Sequence, residues 1–172
     1  FICLLLLSIF TITLINGLFL EKYYVSKKVE VLEEAKEVLS QMNLDDILQY
    51  DTDIEEDKKG ATDEISDEIE RSSSRNNLTW IIVNEENSGY YYWGENNMAK
   101  MLRSKLFGYI NDLDQDMQHS RVLKKTDTCT MWQVHDRFAG MEYVECWGQF
   151  DNGYYFLIRS PPVSYTHLRA HE

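Results

Sequence analysis

Residues 128–160 read TCTMWQVHDRFAGMEYVECWGQFDNGYYFLIRS. Three runs rich in β-branched and aromatic residues are cut by two turn signals, the composition of short antiparallel strands. TCTMWQVH (128–135) turns at Asp136–Gly140 into MEYVECWGQF (141–150), and Asp151-Asn152-Gly153 turns into YYFLIRS (154–160). Asn-Gly accepts the positive φ of a tight hairpin turn, so the second junction is a strong hairpin signal.

Working outward, TWIIVNEE (79–86) reads as a strand, Asn87-Ser88-Gly89 as a turn and YYYW (90–93) as the returning strand. Between the two strand groups the apolar period changes. Met98–Gln118 predicts a helix with Met101, Leu102, Lys105, Leu106, Tyr109, Ile110 and Leu113 on its inner face. Short connections and one helical crossover predict an α+β fold with a five-stranded antiparallel sheet.

Before the sheet, residues 21–43 predict an amphipathic helix. Tyr24, Lys28, Val31, Ala35, Val38 and Met42 follow a helical spacing, with Leu32 and Leu39 beside them. That stripe suits packing on the domain or a seam with a second copy. Residues 44–76 are acidic and polar. Asp63–Arg71 predicts a helix, and RSSSRNN (71–77) a turn-rich stop.

Residues 1–20, FICLLLLSIFTITLINGLFL, carry no charge. Twenty residues at 1.5 Å rise span roughly 30 Å, a bilayer's hydrocarbon thickness. The expectation is an N-terminal transmembrane helix continuing into the long amphipathic helix, with Ser8, Thr11 and Thr13 bonding back to the backbone. A cleaved signal peptide is the rival, but no small-x-small site precedes Glu21. The chain opens on Phe1, so the charged flank that would set orientation lies outside the sequence.

Net charge is −12. No basic groove is available for phosphates, which argues against nucleic acid as a partner. Between Asp45 and Glu70 twelve acids face only Lys58 and Lys59. This run could attract divalent cations, but it lacks the twelve-residue EF-hand spacing and reads better as a solvated face. No metal site is expected.

Cys3 falls in the apolar segment. If strands 128–135 and 141–150 pair about a turn centred near 138, Cys129 lies across from Cys146 and Trp132 faces Tyr143. A Cys129–Cys146 disulfide and two reduced, buried thiols are then both open readings. His119 and His135 have no nucleophile at a motif spacing, so no catalytic residues are assigned. No glycine-rich phosphate loop exists, and the glycines serve turns or tight packing.

This element order resembles the extracytoplasmic PAS-like, Cache-type sensor domains of bacterial membrane receptors. The segments LLLLSIFTITLINGLFLEKYYVSKKVEVLEEAKE (4–37), RNNLTWIIVNEE (75–86) and YYFLIRSP (154–161) resemble the sensor region of clostridial-type (Firmicutes) sensor histidine kinases. The resemblance covers residues 1–161 and rests on order and spacing. It implies a PAS/Cache-like sheet over 77–161, a helical membrane-proximal region over 21–76, and a span over 1–20. Residues 21–161 would be extracytoplasmic, at the cell membrane.

It also implies a homodimer, a cognate response regulator as partner, and a separate kinase core using ATP and Mg²⁺. The phosphoacceptor and ATP-binding motifs of that core are absent from this sequence, so this fragment holds no cofactor of its own. A Cache-type pocket between the sheet and its loops would draw on Tyr92, Trp93, Tyr109, Trp132 and Tyr143, each of which also suits core packing. Ligand-biased movement of the sheet would pass along the 21–43 helix and the last strand. The input domain of a chemotaxis receptor or cyclic-dinucleotide enzyme shares this topology. A membrane-anchored binding protein without enzymatic output is the alternative of a different class.

The tail, VSYTHLRAHE (163–172), places His167 and His171 four apart, as a helical metal pair would be. It resembles instead the translation of a transposase-type sequencing adapter. GTC TCT TAT ACA CAT CTC CGA GCC CAC GAG reads Val163 to Glu172 in every codon. Residues 162–172 are therefore expected to be adapter-derived.

Overall fold

The computed structural model describes residues 2–42, 63–84, 90–94, 98–113, 120–137 and 139–161. The acidic run through residue 62, His119, and the tail with His167 and His171 lie outside them.

Helix α1 (Ile2–Ser40) is followed by α2 (Asp63–Asn76), β1 (Thr79–Val83), β2 (Tyr90–Trp93), α3 (Ala99–Ile110), β3 (Arg121–Lys125), β4 (Cys129–Asp136), β5 (Met141–Gln149) and β6 (Tyr155–Ser160). The strands form one six-stranded sheet in the order β2-β1-β6-β5-β4-β3, with every neighbour antiparallel. The expected sheet of five strands is therefore corrected to six. The additional strand, RVLKK, has only Leu123 packed on the core, while Val122 is exposed. It is an edge strand carrying two lysines and a register shift between Val122 and Lys124. Charged, irregular edges resist pairing with other chains, and for the same reason they lack strand periodicity.

The expected transmembrane helix is overturned. Among the described residues no helix is long and apolar enough to cross a membrane. The membrane localisation with an extracytoplasmic 21–161 loses its support with it. Thr11 and Thr13 do bond back, donating to Leu7 O and Ile9 O at 2.8 Å.

The C-terminal half of α1 covers one sheet face. Leu32, Ala35, Leu39 and Met42 are buried against Trp80, Ile82, Val144, Cys146, Phe156 and Ile158. The stripe expected over 21–43 thus packs on the domain. Helix α2 packs beside α1, and it runs through the serines to Asn76 rather than stopping at Arg71. Ser73 Oγ accepts from Trp80 Nε1 at 2.9 Å, so the serine is tied into the core. The helix ends where Asn77 turns left-handed (φ 55°) and Leu78 N–H returns to Ser73 O at 2.8 Å. Lys28 Nζ joins these parts, donating to Ser160 Oγ at 2.8 Å and Asn76 O at 3.2 Å.

Helix α3 covers the other face with Leu102, Leu106 and Tyr109, against Ile81, Val83, Trp132 and Leu157. It ends at Ile110, short of the expected Gln118. Asp112 is left-handed (φ 57°) and Leu113 N–H bonds back to Gly108 O at 2.8 Å. Leu113 consequently points to solvent, 76% exposed, not into the core.

The β4–β5 register also corrects the sequence reading. Pairing runs from Asp136↔Met141 to Cys129↔Gly148, so Cys129 does not oppose Cys146 and Trp132 opposes Glu145, not Tyr143. The loop closes with Gly140 N–H on Asp136 O at 2.8 Å and Gly140 at φ 64°, and the pairs centre one residue beyond where a Cys129–Cys146 pairing would put them. The resulting offset is two residues, which preserves the face of every side chain. Both thiols are free.

Candidate functional site

The α3-covered face carries one row of directly opposed residues across four strands: Trp132 on β4, Glu145 on β5, Arg159 on β6 and Thr79 on β1. The sheet pleat sends all four toward α3. Two of them are buried charges. Glu145 is 0% exposed and Arg159 2%. Transferring ions from water costs several kcal/mol each unless they are paired, and here they are.

Asp136, at the end of β4, accepts from Arg159 Nη1 at 2.8 Å and from Ala139 N–H at 3.0 Å. Lys105 descends from α3 to lie 3.3 Å from Asp136 Oδ2 and 3.1 Å from Glu145 Oε1. Tyr109, one helical turn on, donates to Glu145 Oε2 at 2.5 Å. The Tyr143 ring stacks under the Arg159 guanidinium at 4.0 Å, a cation–π contact.

The titration behaviour follows. Burial opposes the charge on Lys105, but the carboxylates of Glu145 and Asp136 outweigh it and hold the ammonium pKa above its usual value. Burial likewise opposes ionisation of Asp136, yet Ala139 N–H, Lys105 and Arg159 hold its pKa below the usual range. Burial pushes the Tyr143 phenol up. Lys105 and Asp136 are thus both favoured in their charged forms.

This cluster opens on a cleft of about 350 Å³ between the end of α2, β2 and β6, with Trp93, Met98, Tyr143 and Arg159 in its lining. Arg159 Nε is buried and has no hydrogen-bond partner among the described residues. Leaving a buried donor unsatisfied carries a free-energy cost, so this nitrogen is a group that calls for a partner.

The five aromatics expected around a pocket divide. Trp93 and Tyr143 line the cleft. Tyr109 and Trp132 are buried beneath α3, edge to face at 4.7 Å, with Trp147 beside both. Tyr109 supports the cluster through Glu145, whereas Trp132 is core. Tyr92 packs at the margin of the α3 core. His135 is exposed at the strand end, 3.6 Å from Glu142.

Sequence reading missed Asp136, Glu145 and Arg159, and took Lys105 only as a helix-face residue. Their signal was parity. Glu145 shares its sheet face with Tyr143 and Trp147, and Arg159 with Leu157, so each is a charge at an inward strand position. No protein-family model, no curated protein and no solved structure matches this chain.

Proposed function

We propose that this chain is the signal-input module of a two-component sensor histidine kinase, taking a small polar ligand into the cleft lined by Trp93, Tyr143 and Arg159. The observation that carries the binding role is the buried Arg159, with its unpartnered Nε, at the wall of that cleft. Asp136, Glu145 and Tyr143 hold its guanidinium in place, so a ligand oxygen meets a preorganised donor. Trp93 and Met98 supply apolar surface for the rest of the molecule.

The kinase assignment rests on the resemblance, in element order and spacing, of the segments 75–86 and 154–161 to histidine-kinase sensor regions. Phosphotransfer, ATP and Mg²⁺ belong on this reading to a separate kinase core. A second copy of the chain and a response regulator are the partners. Ligand contact with Arg159 would bias β6, and Lys28 connects the end of β6 to α1 and α2. A shift of the last strand would thereby reach the long helix.

Calorimetric titration of the folded chain against a panel of small oxo-acids tests the binding role. Binding that disappears in Arg159→Met but persists in the exposed control Arg121→Met is expected. Binding indifferent to Arg159 would sink the assignment. Autophosphorylation of the intact gene product with ATP and Mg²⁺ tests the kinase role, and a native gene encoding no kinase core beside this module rejects it.

A further inference from the structure

The opposite sheet face carries a second cluster, independent of the cleft. Cys129 opens β4, and Cys146 lies two residues along β5 from its cross-strand partner Gly148. The two cysteines are diagonal neighbours on one face. Both are buried, and their thiols lie within hydrogen-bonding reach of each other. Thr126 Oγ1 stands 3.3 Å from Cys129 Sγ and accepts from Cys129 N–H at 3.1 Å. Lys36 reaches over from α1, donating to Thr128 Oγ1 at 3.3 Å, and through space its charge favours the Cys129 thiolate while Glu33 opposes it.

These neighbours divide the two thiols chemically. The Cys146 hydrogen bond, then Thr126 and Lys36, outweigh burial and lower Cys129 to about 6. Cys146, donating that hydrogen bond inside the core, is pushed well above the usual thiol value. One sulfur is an anion near neutral pH while the other keeps its proton, as an attacking and a resolving thiol require. Cys129 borders an open cleft with Thr126, Thr128, Trp147 and Tyr155. At 5% exposure the residue admits a small oxidant more readily than a bulky disulfide.

We propose that Cys129 and Cys146 are a peroxide-reactive dithiol, with Cys129 the attacking and Cys146 the resolving sulfur. The Cys129 thiolate attacks one oxygen of hydrogen peroxide. An S–O bond forms, the O–O bond breaks, and the departing hydroxide takes a proton to leave as water. Cys129, now a sulfenic acid, is oxidised by two electrons. Cys146 then loses its proton and attacks that sulfur. The S–S bond forms, the S–O bond breaks, and a second water leaves. Two thiols and one peroxide give one disulfide and two waters.

Diagonal Cα atoms across a ladder stand roughly 7–8 Å apart. A disulfide wants about 4.4–6.8 Å. Closing the bridge therefore draws the start of β4 along β5, past Gly148, and strains the Thr128–Lys36 contact with α1.

The test uses the full chain carrying Cys3→Ser, which removes the exposed third thiol. After stoichiometric peroxide, intact mass should fall by two hydrogens and digestion should yield a Cys129–Cys146 crosslinked peptide. In Cys146→Ser the reaction should stop at a sulfenic acid trapped by dimedone on Cys129. The unsubstituted chain supplies a check that needs no folded variant. Iodoacetamide should modify Cys129 with a rate midpoint near pH 6, below the roughly 8.5 of an ordinary free thiol. Thr126→Val should move the Cys129 rate midpoint upward. The proposal is overturned if both core thiols remain alkylatable on unfolding after peroxide, if the Cys129 rate midpoint lies near the roughly 8.5 of an ordinary free thiol, or if Cys146 traps dimedone in Cys129→Ser at the wild-type rate.

Discussion

Glu145 on β5 and Arg159 on β6 stand directly opposite each other in the antiparallel register, both buried, with Nη1 of the arginine 3.9 Å from Oε1 of the glutamate. The guanidinium makes its closer contact to Asp136, at 2.8 Å. One buried cation thus serves two buried anions, and Lys105 completes the balance from α3.

Removing Arg159 alone should be costly. Arg159→Met takes from Asp136 and Glu145 the guanidinium they share, and an uncompensated buried charge costs about 3–5 kcal/mol. The paired change Glu145→Gln with Arg159→Met removes one charge of each sign and should recover part of that loss. Urea unfolding of the single and double variants measures it. A double variant as unstable as the two single losses combined would contradict the pairing.

The same cluster predicts a stability plateau. The pKa of Asp136 is lowered in the fold, so its contribution is in place above the unfolded value of about 3.9 and is lost as pH falls through the lower folded value. That of Lys105 is raised, so its contribution is in place below about 10.4 and is lost as pH rises through the higher folded value. The gap in unfolding free energy between the parent chain and Asp136→Asn should stay level from mildly acid to mildly alkaline pH and shrink below about pH 4. Thermal melts across that range check it.

Gly148 is a close-approach glycine. A Cβ there would lie 2.1 Å from Thr128 O and 2.9 Å from Cys129 Cα. Gly148→Ala must push β4 off β5, and overpacking of this kind costs about 1–3 kcal/mol. A denaturation midpoint unchanged from the parent would show that the strands have slack.

Helix α1 should respond differently along its length. Leu32 is 0% exposed, so Leu32→Ala should cost about 2–5 kcal/mol. Leu5 is 51% exposed, so Leu5→Ala should stay within about 0.5 kcal/mol. Chemical denaturation of the two variants compares them, and equal losses would mean that both halves are packed alike.

Much of the sheet was legible because strand signals are local. The runs at 79–86, 90–93, 128–135, 141–150 and 154–160 each overlap a strand, since alternation, β-branching and Asn-Gly act over a few residues. The stripe through Ala35 and Met42 marked the face of α1 that is buried. What failed was also physical. RVLKK is too charged to show a period of two. The serines of α2 read as a stop until Trp80 supplied a partner for Ser73. The apolar count over residues 1–20 predicted a span that the described helix does not provide.

The candidate site was half legible for a related reason. Trp93 and Tyr143 announced themselves as aromatics on strands that face loops. Asp136, Glu145 and Arg159 looked like ordinary surface charges in a chain rich in acids. A charge's environment depends on which strand lies beside it, and that is a long-range fact.

The sequence by itself determined five of the six strands described, their inward parity and the helical crossover, because sterics, turn chemistry and side-chain period are written in neighbouring residues. Only the tertiary structure decided the register. Pairing Cys129 with Gly148 set the thiols on a diagonal, and pairing Glu145 with Arg159 brought opposite charges together in the core. A register shift of two keeps every face yet changes every partner, so the hydrophobic pattern tolerates either. Loop geometry at Gly140 and the mutual neutralisation of four buried charges favour the register observed.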